Sequence, residues 1–91
     1  MDYINKLEQL KINDDIENKE EIMKKINFIK GNIIHQQGDI NKSIELYNLI
    51  IEKDEFNEQS LTNKGICLLE QNQLNEAEKC FDTVLQKIKI I

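Results

Sequence analysis

The chain has 91 residues, a net charge of −5, and neither arginine nor proline. That length holds one hydrophobic core rather than two, and an acidic chain without arginine argues against nucleic acid, whose binding rests on neutralised phosphates. The longest apolar run, Ile66-Cys67-Leu68-Leu69, is far short of a membrane span, and Asp2 and Asn5 interrupt the start before any leader-like stretch develops.

Without proline and with three glycines, the composition favours long helices, and apolar spacing predicts about five. The first runs from Tyr3 to Ile12, with Ile4, Leu7 and Leu10 at helical intervals and Asp2 placed to cap it. Asn13-Asp14-Asp15 breaks it. A longer helix follows, with Asn18 and Glu21 in capping-box spacing and Ile22, Ile26, Ile29 and Ile33 along one stripe. Gly38-Asp39 is a turn signal that ends it near Gln37. The next helix spans about Asn41 to Lys53, with Ile40, Ile44, Tyr47 and Ile51 on one face and Ile50 beside them. After the connector Asp54–Asn57, Asn57 caps a helix from Glu58 to Gln71 that packs through Leu61, Gly65 and Leu68. Asn72 ends it. The last helix, about Leu74 to Ile88, aligns Leu74, Ala77, Phe81, Val84 and Ile88. Residues 1–23 carry a net −4, read as a solvated helix face.

Two of these helix pairs repeat. Lys30-Gly31 and Lys64-Gly65 stand 34 residues apart, each followed twelve residues on by a small residue (Ser43, Ala77) and four later by an aromatic (Tyr47, Phe81). Two antiparallel helices approach closely where one side chain is nearly absent, and a bulky ring fills the gap beside that contact. A 34-residue period with small residues at fixed offsets is the mark of a helix–turn–helix solenoid.

These residues resemble the tetratricopeptide repeat. The first copy reads Asn27-x2-Lys30-Gly31-x2-Ile34, then Ser43-x3-Tyr47, and the second reads Leu61-x2-Lys64-Gly65-x2-Leu68, then Ala77-x3-Phe81. The turns Gly38–Ile44 and Asn72–Glu78 also resemble those inside such repeats. Glu55 and Lys89 stand where the repeat usually has proline, and Asn27 replaces a large apolar residue, which marks a less buried site. The resemblance covers residues 24–91 and implies an all-α solenoid of antiparallel helix pairs. Residues 24–57 and 58–91 form its two repeats, preceded by 1–23 as a capping element or degenerate half-repeat, all in one domain over 1–91.

The resemblance further implies a concave groove that binds a protein partner, an extended peptide or an amphipathic helix. Carried over by position, its walls are Lys25, Phe28, Ile29, Asn32, His35 and Gln36 from the first copy. The second copy gives Gln59, Thr62, Asn63, Ile66, Leu69 and Glu70. Asn32 and Asn63 fall where some members clamp acidic peptide tails, and an asparagine offers a donor and an acceptor to a peptide backbone. The cations of that clamp are missing, because Phe28 stands where a lysine is required. Phe28, Ile29, Ile66 and Leu69 suit an apolar or amphipathic segment better.

No histidine–cysteine cluster, catalytic triad, glycine-rich phosphate loop or carboxylate pair can be assembled, so neither a metal, a cofactor nor enzymatic catalysis is expected. Cys67 and Cys80 read as small core hydrophobes, and a reducing, intracellular compartment is expected. Ile88, Ile90 and Ile91 end the chain on apolar side chains. They support an alternative function, a structural subunit or homo-oligomer that docks through this end.

Overall fold

The computed structural model describes residues 15–90. Among them every regular element is a helix: α1 (Asp15–Gln36), α2 (Ile40–Lys53), α3 (Glu58–Glu70) and α4 (Leu74–Ile90). The count is four where about five are expected, and the expected Tyr3–Ile12 helix lies outside the described residues. The start of α1 is a correction. Asn18 and Glu21 sit inside the helix instead of boxing its end. The division placed between residues 23 and 24 therefore falls within α1.

The two hairpin turns are built alike. Gly38 and Asn72, one period apart, both adopt positive φ, +94° and +61°. At the first turn the amide of Gly38 donates to His35 O and that of Asp39 to Ile34 O. At the second, Asn72 donates to Leu69 O and Gln73 to Leu68 O. Both are the paired closing bonds that satisfy the last carbonyls of a helix when the next residue turns left-handed. The following helix starts on Asp39 in the first hairpin, whose carboxylate accepts from Lys42 N at 3.2 Å. Asn57 caps α3 in the same way, accepting from Ser60 N at 3.0 Å.

α1 packs on α2, α3 packs on α4, and α2 joins the hairpins by packing on α3. The glycines sit at the closest approach. A Cβ at Gly31 would stand 2.6 Å from a ring carbon of Tyr47, and one at Gly65 would stand 2.5 Å from a ring carbon of Phe81. Ser43 and Ala77 are fully buried beside these contacts. The core gathers Leu61, Leu68, Ala77 and Cys80, with Ile44 and Ile51 of α2 and Phe81 and Val84 of α4 packed against it. Each large apolar side chain removed from water in this way contributes about 1.5–3 kcal/mol.

Two expected apolar stripes differ from the fold. In α4, Leu74 and Ile88 at the ends of the stripe are exposed, while Ala77 is buried and Phe81 and Val84 are partly so. In α1, Ile22, Ile26, Ile29 and Ile33 do share one face, but that face is exposed. The core side of α1 is instead marked by buried Gly31, with Asn27 and Ile34 half-buried. Cys67 and Cys80 are free and buried, and burial pushes both thiols above their ordinary pKa.

Candidate functional site

α1 and α3 are linked through polar side chains. Tyr47 reaches up from α2, and its hydroxyl donates to Asn32 Oδ1 at 2.6 Å. The same oxygen accepts from Asn63 Nδ2 of α3 at 2.9 Å. Burial raises the Tyr47 phenol above its ordinary pKa, so it stays a donor in this ladder. One turn further along, His35 Nε2 lies 3.0 Å from the Glu70 carboxylate. Two bonded bridges thus connect α1 and α3.

A shallow cleft opens above the asparagine ladder, lined by Phe28, Glu58, Gln59, Thr62 and Asn63. Phe28 and Gln59 also line a second cleft of about 310 Å³, which continues toward the α2–α3 connector past Lys24, Lys25, Ile29, Ile50 and Asp54. Phe28 stands at the junction of the two, its ring tilted against Tyr47 with centroids 6.0 Å apart. The floor of the second cleft includes Ser60, whose hydroxyl is buried with no hydrogen-bond partner.

Of the twelve residues read from the sequence, the structure gathers Lys25, Phe28, Ile29, Gln59, Thr62 and Asn63 around these connected clefts. Asn32 lies beneath them, engaged with Tyr47 and Asn63. His35 and Glu70 pair with each other. Ile66 and Leu69 are exposed on α3, and Gln36 is exposed near the end of α1. Ile88 is exposed on α4, whereas the side chains of Ile90 and Ile91 lie outside the described part.

The Asn32 carbonyl oxygen is engaged by two donors within the protein, the Tyr47 hydroxyl and the Asn63 amide.

Sequence reading missed Lys24 and Asp54. Lys24 reaches Glu21 at 2.7 Å and Asp54 at 3.4 Å. The hydrogen bond to Glu21 is the main cause that raises the Lys24 pKa. Asp54 accepts from Asn57 Nδ2 at 3.1 Å, and this bond, helped by Lys24, holds its carboxyl below the usual range. A thirty-residue separation left no local signal for this pair. Among the described residues no cluster of three or more metal-ligating side chains occurs, and no helix is long and apolar enough to cross a membrane.

Part of the chain resembles curated proteins. It is 40% identical over 42 residues to the probable UDP-N-acetylglucosamine–peptide N-acetylglucosaminyltransferase SPINDLY of Oryza sativa subsp. japonica. It is 34% identical over 56 residues to the protein of the same name from Arabidopsis thaliana. These stretches are 46% and 62% of this chain but 4% and 6% of the two relatives. No family model matches the chain, and no solved structure matches it.

The expectation that the protein is not an enzyme is corrected here, because both matched proteins are named as transferases. The physical reason is plain: the absence of a catalytic constellation from one helical segment says nothing about a larger protein that carries such a segment. What the comparisons support is a likeness in helical-repeat character.

Proposed function

We propose that this chain is a tetratricopeptide-type interaction module that holds a segment of a protein partner between α1 and α3. The observation that carries the reading is the pair of clefts that share Phe28 and Gln59, above an Asn32–Asn63 hydrogen bond that joins the two helices. The 34-residue repetition of the Gly31–Tyr47 and Gly65–Phe81 contacts supports it, as does the partial likeness to proteins that contain such repeats. The matched transferases act on peptides by name, which agrees with a segment that holds an extended chain.

The chemistry favours an amphipathic or extended ligand. Phe28 and Ile29 supply apolar contact. Gln59, Thr62, Asn63 and the amide hydrogens of Asn32 can bond a peptide backbone without reading its sequence. Lys25 is the one lysine among the residues of the groove read from the sequence, which is too little to select an acidic tail.

Panning a random peptide library on the full chain tests this. Peptides that bind the native chain and lose at least tenfold in affinity to a Phe28→Ala, Gln59→Ala variant would uphold the groove. Peptides indifferent to those substitutions, or none recovered, would sink it. A second reading, docking through α4, is favoured by the exposed Leu85 and Ile88. Self-association abolished by Ile88→Asp would move the interface there.

A further inference from the structure

The contact between the two hairpins can be carried one 34-residue period in either direction. Asn32 bonds Asn63 across that contact, and Ile51 of α2 packs on the core of the second hairpin. One period later stand Ile66 and Leu85, 40% and 54% exposed. On the other side of the contact, Ser60 and Cys67 have no exposed surface. Ser60 shares a cleft wall with Ile50 of α2, and Cys67 lies close enough to Tyr47 to influence its phenol. One period earlier stand Ile26 and Ile33, 43% and 50% exposed. The molecule therefore presents two apolar faces that are the two halves of a contact it already makes once within itself.

We infer that a second copy of this chain stacks on the first head to tail, with α1 of one copy against α3 and α4 of the other. What selects this occupant is that the two faces depart together from the internal contact. Where Asn63 meets Asn32 inside the chain, stacking brings Ile29 to Ile66. Tyr47, whose hydroxyl bonds Asn32, gives way to Phe81, which has no hydroxyl to satisfy. Asp54 and Asn57, bonded at 3.1 Å, give way to Ile88 and Met23, both half-exposed. At the rim, the hydrogen bond from Gln71 to Asn41 keeps its residue types as Gln37 and Asn75. A foreign partner would constrain each face separately and would give neither a reason to match the other.

The area suits a reversible association. The apolar side chains named on the two faces offer on the order of 700 Å², and a rim of the usual polar share brings this to about 1,200 Å², the lower bound of specific interfaces. Glu78 stands where α2 has Ile44, so a charge remains at the edge of the face. Because the two faces differ, the contact is heterologous. Two stacked copies still leave one face of each kind open, and association grows with concentration instead of stopping at a dimer. This stacking rests on docking through α4 and adds what α4 receives.

Sedimentation of the full chain at concentrations up to about 1 mM tests it. The mass of the native chain should rise past that of a dimer. Ile33→Asp spoils the α1 face and Ile88→Asp the α4 face, both at half-exposed positions, so each variant alone should stay monomeric. An equal mixture of the two should form a heterodimer and nothing larger, because each brings one intact face. Circular dichroism checks that both variants stay helical. Should either unfold, Ile33→Ala and Ile88→Ala give the same test, each weakening association about tenfold. A native chain that is monomeric throughout would overturn the stacking together with docking through α4 onto a second copy. Association lost in Ile88→Asp but kept in Ile33→Asp would mean that α4 meets α4, which overturns the stacking and leaves docking through α4 standing. A mixture that stays monomeric, or association that survives both substitutions, would overturn the stacking as well.

Discussion

The two hairpins use one backbone geometry and close it with different chemistry. In α3–α4 the glycine contact is sealed by apolar groups: Phe81 over Gly65, with Leu61, Leu68 and Ala77 around it. In α1–α2 the corresponding positions are Tyr47, Asn27, Ile34 and Ser43. The serine hydroxyl donates to Gly31 O at 3.0 Å, with Asp39 O at 3.2 Å as its other acceptor. The tyrosine hydroxyl donates to Asn32. Polar atoms are tolerated at this depth because each has a partner, and an unpartnered one would cost about 1–3 kcal/mol. The close approach of the helices is therefore the constant of the fold, and the composition around it is free to vary.

The largest effect should come from destroying what the hairpins share. Gly31→Leu and Gly65→Leu both drive a side chain into a ring, and each should cost about 1–3 kcal/mol or more by overpacking. Denaturant titration would show it as a lowered midpoint. An unchanged midpoint at either site would mean that its hairpin does not rely on close approach.

A smaller effect should separate the hairpins. Tyr47→Phe removes the bond to Asn32 and should lower stability by about 1 kcal/mol. Phe81→Tyr should bring no matching gain, because Ile66 stands one period after Asn32 and cannot accept. Thermal melts of the two variants measure the contrast, and equal responses would remove it.

The smallest effect lies in the turns. Asn72 holds a left-handed conformation that glycine holds at position 38. Asn72→Gly should therefore stabilise the chain by about 0.5–1 kcal/mol, and Gly38→Asn should destabilise it by a similar amount. Melting temperatures that move the other way would show that the asparagine side chain contributes more than its backbone strain costs.

What could be read in the sequence follows from these contacts. The glycine–aromatic offsets, the Gly38 turn and the Asn57 cap rest on local chemistry, and all three appear in the structure where the residues place them. The isoleucine stripe of α1 shows where such reading stops. Periodicity reveals that a helix has an apolar face and is silent on which neighbour covers it. The start of α1 was obscured for a related reason, since Asn13-Asp14-Asp15 carries both a break signal and acids suited to a first turn. In the groove, position within the repeat brought Phe28, Gln59, Thr62 and Asn63 to one cleft. It could not reveal that Tyr47 and Asn63 already occupy the carbonyl of Asn32. Nor could it pair Lys24 with Asp54, which meet only once α1 and α2 have closed on each other.

Both cysteines of the chain fall in one hairpin, Cys67 on α3 and Cys80 on α4, and both are buried as free thiols with raised pKa. A thiolate is the reactive species toward an alkylating reagent, so neither sulfur reacts readily while α3 and α4 stay together. The pair is thus a built-in clock. The speed at which a soluble maleimide marks the chain measures how often its second half breathes, and the first half, carrying no sulfur but that of Met23 among its described residues, does not register in the signal.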